Sequence, residues 1–232
     1  MKRFLISPPF GNWFSDPDCT RVMGSYTLDR RWGLVWNSIK SLRKIEGGWV
    51  NRIGLRNPGL RSVRFQPNRI YSVVGLAEHD WEGILEILGQ RWLPIEVNLG
   101  CPNVHRYGIP PDILSEYTRR YRVSAKLPPT EKVDKIAAMA VEAGVHYLHL
   151  SNTIPTPRGG ESGKRLKEIN LPIVERLHKC YPHIPIIAGG GIYSAEDVHD
   201  YEQAGATHFS LSTVWFRPGR ARGIVRPRTQ LS

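Results

Sequence analysis

The chain has 232 residues, 41% hydrophobic and 23% charged, with 32 Lys and Arg against 21 Asp and Glu and a net charge of +11. Those proportions exclude a disordered chain, a collagen-like chain and a disulfide mini-protein, and the length suits one large domain with a sizeable core. The basic balance points to an anionic partner: nucleic acid, a phosphate or an acidic metabolite.

Short β-branched apolar runs at residues 3–7, 49–55, 69–76, 94–99, 123–127, 147–151, 185–188 and 208–212 read as strands. Helical periodicity falls between them at 34–45, 80–88, 130–143, 170–180 and 194–204, the last opening on Ser194 with Glu196 and Asp197 in its first turn. Strands joined by helical crossovers pair in parallel, because parallel neighbours need a long connection. An open doubly wound sheet and a closed barrel both fit, and eight units favour a (β/α)8 TIM barrel. At 232 residues that barrel is short, and segment 57–68 and the C-terminal end look too poor for full helices, so it is expected to be trimmed at both ends.

The division expected is a single barrel domain over 1–216 and a basic tail over 217–232. Residues 217–228 hold five arginines and no acid; without those five the net charge is +6. A solvated basic end is the preferred reading of this tail, ahead of a nucleic-acid arm. Three cysteines, Cys19, Cys101 and Cys180, are too few and too odd for a disulfide scaffold and have no metal-ligand spacing, which points to a reducing, cytoplasmic setting without a metal. No run approaches 18 apolar residues, and the N-terminus lacks a signal-peptide core, so no membrane span is expected.

In a parallel barrel the active site forms where strands end, and unusual residues gather there. Gly189, Gly190 and Gly191 end one strand and Ser212 and Thr213 end the next. Together they offer backbone N–H groups and hydroxyls to a phosphate. Lys126 lies in an otherwise apolar strand, where a charge is costly unless a cofactor anion or a ring that becomes anionic on reduction satisfies it. Asn51, Asn98, Asn103 and Asn152 fall at or near strand ends and suit a flat heterocycle with imide and carboxylate groups. Cys101, between Gly100 and Pro102, is a candidate general acid or base, whereas Cys19 and Cys180 read as plain packing residues. His146 and His149 read as barrel-wall residues.

The motifs Gly24-Ser-Tyr-Thr-Leu-Asp29, Asn51-Arg-Ile-Gly-Leu-Arg-Asn57, Asn98-Leu-Gly-Cys-Pro-Asn103, Lys126-Leu-Pro-Pro129, Ser151-Asn-Thr153, Gly159-Gly-Glu-Ser-Gly163, Gly189-Gly-Gly-Ile192 and Ser212-Thr213 resemble, in this order, the dihydroorotate dehydrogenase family of FMN-dependent (β/α)8 barrels. The resemblance implies that Lys126 contacts FMN and stabilises its reduced form. It implies that Asn98 and Asn152 lie between flavin and substrate, that Asn51 and Asn103 bind the pyrimidine and its carboxylate, and that Thr153 shares that site. Ser162, Gly163, Gly190, Gly191, Ser212 and Thr213 would complete the cofactor site, the glycines and the last two around its phosphate. Cys101 would be the base that takes a proton from C5 of dihydroorotate while hydride leaves C6 for the flavin, giving orotate in pyrimidine biosynthesis. Cysteine there, rather than serine, is the pattern of the soluble class 1 branch, which implies a homodimer.

The chain departs from the family at Gly24, where the family places a lysine; Arg21 is the nearest cation in sequence. With no second dinucleotide motif and no partner-subunit signature, the sequence favours fumarate, oxygen or a quinone over NAD as acceptor and leaves the acceptor open. Two rivals remain at this level. A tRNA-dihydrouridine synthase-like flavoprotein also carries Asn-x-Gly-Cys-Pro, but the Ser-Asn-Thr and Gly-Gly-x-Ser-Gly pair and the lack of an RNA-binding helical domain weigh against nucleic acid. A catalytically impaired FMN-binding barrel is motivated by Gly24.

Overall fold

The computed structural model describes residues 1–100, 108–150 and 152–226. Its strands are β1 (Phe4–Ile6), β2 (Cys19–Tyr26), β3 (Arg43–Ile45), β4 (Gly48–Asn51), β5 (Arg69–Val73), β6 (Ile95–Asn98), β7 (Val123–Leu127), β8 (Tyr147–Leu150), β9 (Ile154–Thr156), β10 (Gly159–Gly163), β11 (Ile186–Gly189) and β12 (His208–Leu211). Its helices are α1 (Leu34–Ser41), α2 (Glu78–Leu88), α3 (Pro111–Arg120), α4 (Val133–Glu142), α5 (Arg165–Cys180), α6 (Ala195–Gln203) and α7 (Pro218–Val225). Strands β1, β2, β5, β6, β7, β8, β11 and β12 close in that order into a parallel barrel, the (β/α)8 TIM barrel expected. Helices α2 to α6 supply the crossovers from β5 onward, whereas β1 reaches β2 through a 3-10 turn at Phe10–Asn12.

One strand assignment is corrected. The second barrel strand is β2, which the residue pattern does not flag because Arg21, Gly24 and Ser25 interrupt its apolar run. Segment 49–55 is not in the barrel: β4 joins an antiparallel four-stranded sheet ordered β3-β4-β10-β9. Helix α3 is also unanticipated; it buries Leu114 and Tyr117, with Ile113 packed beside them, while most of its other positions are polar.

The basic C-terminal end is folded in part. Helix α7 buries Ala221, Ile224 and Val225. Its arginines meet acids of the β1–β2 loop: Arg226 Nη2 lies 2.9 Å and Arg222 Nε 3.6 Å from the buried carboxylate of Asp16, and Arg226 also pairs with Asp18. The Arg-rich segment thus fastens the last helix across the start of the barrel. Asp16→Ala is expected to cost about 1.5–3 kcal/mol, the range for hydrogen bonds to a charged group, read as a lower denaturant midpoint at unchanged slope.

Along each barrel strand, alternate side chains face outward to the helices and inward to the axis. The inward set is apolar toward the strand starts, where Leu5, Val22, Ile70, Tyr147 and Ile187 form one cluster. Toward the strand ends it becomes polar: Ser72, Glu96, Asn98, Lys126, His149 and Ser210 are all buried. Barrel interiors are ordinarily filled by Val, Ile and Leu, so this half of the axis is built for something other than packing.

Candidate active site

Lys126 is 6% exposed and Glu96, on the neighbouring strand, 1% exposed. Lys126 Nζ lies 3.8 Å from Glu96 Oε1. The counter-charge that Lys126 needs is therefore a protein carboxylate, which the residue pattern did not single out. His149, fully buried on the next strand, places Nδ1 2.5 Å from Glu96 Oε2. Burial alone would raise the Glu96 carboxyl, but the Lys126 ammonium and the His149 and Ser72 hydrogen bonds outweigh it and hold it down at about 2. Burial pushes His149 below the usual imidazole range, more than Glu96 pulls it up. The pair is thus a carboxylate accepting from a neutral imidazole, with His149 Nε2 buried and without a hydrogen-bond partner among the described residues.

The asparagines above this pair are linked. Asn98 Nδ2 donates to Ser25 Oγ at 3.1 Å, Ser25 and Ser72 share a 2.8 Å hydroxyl contact, and Asn152 Nδ2 donates to Asn98 Oδ1 at 2.7 Å.

A cavity, partly open to solvent, lies at the strand ends. Lys126, Asn152, Thr153, Ser162, Gly163, Gly190, Gly191, Ser212 and Thr213 all line it, together with Ser7, Pro8, Leu166, Ile192 and Ser210. Nine of the predicted site residues thus border one space, and Asn98 adjoins it through Asn152. The glycines are required there. Gly190 and Gly191 have φ of +84° and +75°, and a Cβ would meet Asn170 Nδ2 at 2.8 Å and Lys167 Cβ at 2.7 Å, respectively. Gly163, at φ +139°, approaches within 2.4 Å of the Gly47 carbonyl by the same construction. The backbone is thereby brought to the cavity with no side chain in the way. Tyr193, absent from the predicted set, braces this end through a 2.6 Å contact of its hydroxyl with Thr213 Oγ1.

Asn51 sits in the side sheet opposite Gly160, not at the end of a barrel strand, and its Oδ1 accepts from the Ile53 N–H at 3.3 Å. Cys101 and Asn103 lie outside the described residues. Gly24 is on β2, where its φ is +115° and a Cβ would come within 2.5 Å of the Ser72 carbonyl. Arg21 does not replace the missing lysine, because its guanidinium is bound to the Gly11 and Asn12 carbonyls. Restoring a side chain at position 24 is accordingly expected to harm the fold. Gly24→Lys should lose more than about 1 kcal/mol, the scale of the left-handed penalty alone, measured by thermal unfolding.

The fold and cavity define a (β/α)8 barrel whose site combines a buried lysine with an anion cradle after its last two strands. In fold it is similar to a dihydroorotate dehydrogenase of Eimeria tenella solved with ferulenol (TM-score 0.74, 20% identity, 96% of this chain and 79% of that one). The family model for dihydroorotate dehydrogenase matches residues 20–222. Similar proteins include the catalytic subunits of dihydroorotate dehydrogenase B (NAD(+)) from Staphylococcus carnosus (28% identity, 92% of this chain, 81% of the relative) and Geobacillus kaustophilus (30% identity, 82% and 71%). The counterpart from Methanocaldococcus jannaschii is 29% identical, over 75% of this chain and 69% of the relative. The chain belongs to the dihydroorotate dehydrogenase family, oxidoreductases that act on the CH–CH bond of dihydroorotate in pyrimidine biosynthesis.

Proposed function

We propose that this chain is the catalytic subunit of an FMN-dependent dihydroorotate dehydrogenase, with the cofactor in the cavity at the strand ends. The observation that carries this reading is the single space joining Lys126 and Asn152 to the cradle of Gly163, Gly190, Gly191, Ser212 and Thr213. A cradle whose glycines have no room for a Cβ against the wall behind them, with hydroxyls beside it, fits a phosphate monoester. The ammonium at the other end fits the ring that gains charge.

When bound, FMN supplies the hydride acceptor for C6 of dihydroorotate. The remaining work falls to the chain. Cys101 takes the C5 proton as the general base. Asn98, Asn103, Asn152 and Thr153 orient the pyrimidine and its carboxylate. Asn51 contributes to the same substrate from the side sheet rather than from the barrel. Lys126 sets the charge beside the ring, and Ser162 closes the cofactor cavity from β10.

Relatives named as NAD(+) catalytic subunits run against the acceptors favoured by the sequence. With no second dinucleotide motif in this chain, we propose that its electrons leave through a partner subunit that handles the nicotinamide. Heat-released cofactor identified by mass is expected to be FMN in one-to-one ratio with the chain, and the isolated chain is expected not to bind NAD. FAD in its place, or no flavin, would count against the reading.

A further inference from the structure

Glu96 is used by neither the proposed chemistry nor the packing of the barrel wall. It is a fully buried carboxylate at the point where three strands converge, and three features meet on it.

The first is charge: Lys126 Nζ is 3.8 Å from Oε1, and no second carboxylate among the described residues pairs with Lys126. The second is His149, whose Nδ1–H donates to Oε2 and keeps that oxygen in place. The third is Oε1 itself, buried and without a hydrogen-bond partner among the described residues, so that the Lys126 ammonium is the group that answers its charge.

We propose that Glu96, anchored by His149, is a positioning residue that holds Lys126 by charge. The proposal rests on the FMN reading above for what Lys126 faces.

The test compares flavin-loaded wild type with Glu96→Gln. Glutamine keeps the shape and an acceptor for His149 but removes the anion. The Lys126 charge is then uncompensated, reduced flavin is favoured by about tenfold, and the midpoint potential rises by roughly 30 mV for a two-electron couple. A purely structural role for Glu96 would change stability and leave the potential where it was. An unchanged or lowered potential in Glu96→Gln would overturn the proposal. A flavin-independent measurement separates it from the reading beneath it. In the apoprotein, the imidazole Nδ1 proton of His149 is expected as a low-field NMR signal that moves upfield in Glu96→Gln. Wild type lacking flavin but showing that signal would sink the FMN reading and uphold the anchor, and absence of the signal would sink the anchor itself.

Discussion

Lys126→Met is expected to cost about 3–5 kcal/mol and to release most of the flavin. The energetic part follows from burial. Glu96 is 1% exposed, and removing one partner of a buried ion pair strands the other charge in a medium that solvates it poorly. Methionine nearly fills the volume, so a cavity contributes little, and the loss reports the missing charge. The pH dependence distinguishes this from simple misfolding. In wild type the Glu96 carboxyl is held at about 2, below its ordinary 4.5. A depressed folded-state value gives stability that is present above 4.5 and is lost as pH falls toward 2. In Lys126→Met burial dominates and the folded-state value rises instead, so the variant gains relative to wild type on acidification. Chemical denaturation of both proteins at pH 7 and pH 4 is expected to show the gap narrowing at the lower pH. A gap that stays constant or widens would mean that Lys126 is not the partner that keeps Glu96 ionised.

His149 adds a second acid-sensitive step in wild type. Its folded-state value lies below the usual imidazole range because burial disfavours the cation. The unfolded chain therefore takes up that proton first as pH drops through about 6.5, and stability falls there. His149→Asn should lose this step.

Cys101→Ala is expected to lower dihydroorotate turnover by about 10²–10⁴ while the flavin stays bound, the usual worth of a general base. The argument is chemical. Hydride cannot leave C6 readily until the C5 proton is removed, and a thiol is the group in Asn98-Leu-Gly-Cys-Pro-Asn103 able to take it. Wild-type turnover is expected to rise with pH as the base gives up its own proton, and the variant should lose the rise. The flavin spectrum is the control, since it reads cofactor retention directly. Unchanged flavin reduction in Cys101→Ala would remove Cys101 from the mechanism.

Much of this site is legible in the order of residues, for identifiable reasons. Lys126 stands out because a charge in a five-residue buried strand needs a purpose. Gly190 and Gly191 stand out because a triple glycine at a strand end turns backbone N–H groups onto an anion. Glu96 does not stand out, because Pro94-Ile-Glu-Val-Asn-Leu99 reads as an ordinary alternating strand with two polar residues, of which Asn98 at the strand end draws the attention. Only the register that sets Glu96 beside Ser124 and Lys126 beside His149 brings its carboxylate to the ammonium. Trp49 and Val50 read as barrel because local alternation carries no information on which sheet a strand joins; their partners in β10 lie more than 100 residues away. Helix α7 is hidden by its glycines, proline and arginines, and its burial depends on Asp16 at the far end of the chain.

The most direct measurement is the visible spectrum of the purified protein before and after anaerobic addition of dihydroorotate. The account predicts a bound flavin whose absorption bleaches, with orotate formed in equal amount, and with Gly24 in place throughout. A flavin band that survives saturating dihydroorotate, or a protein that binds no flavin, would contradict it.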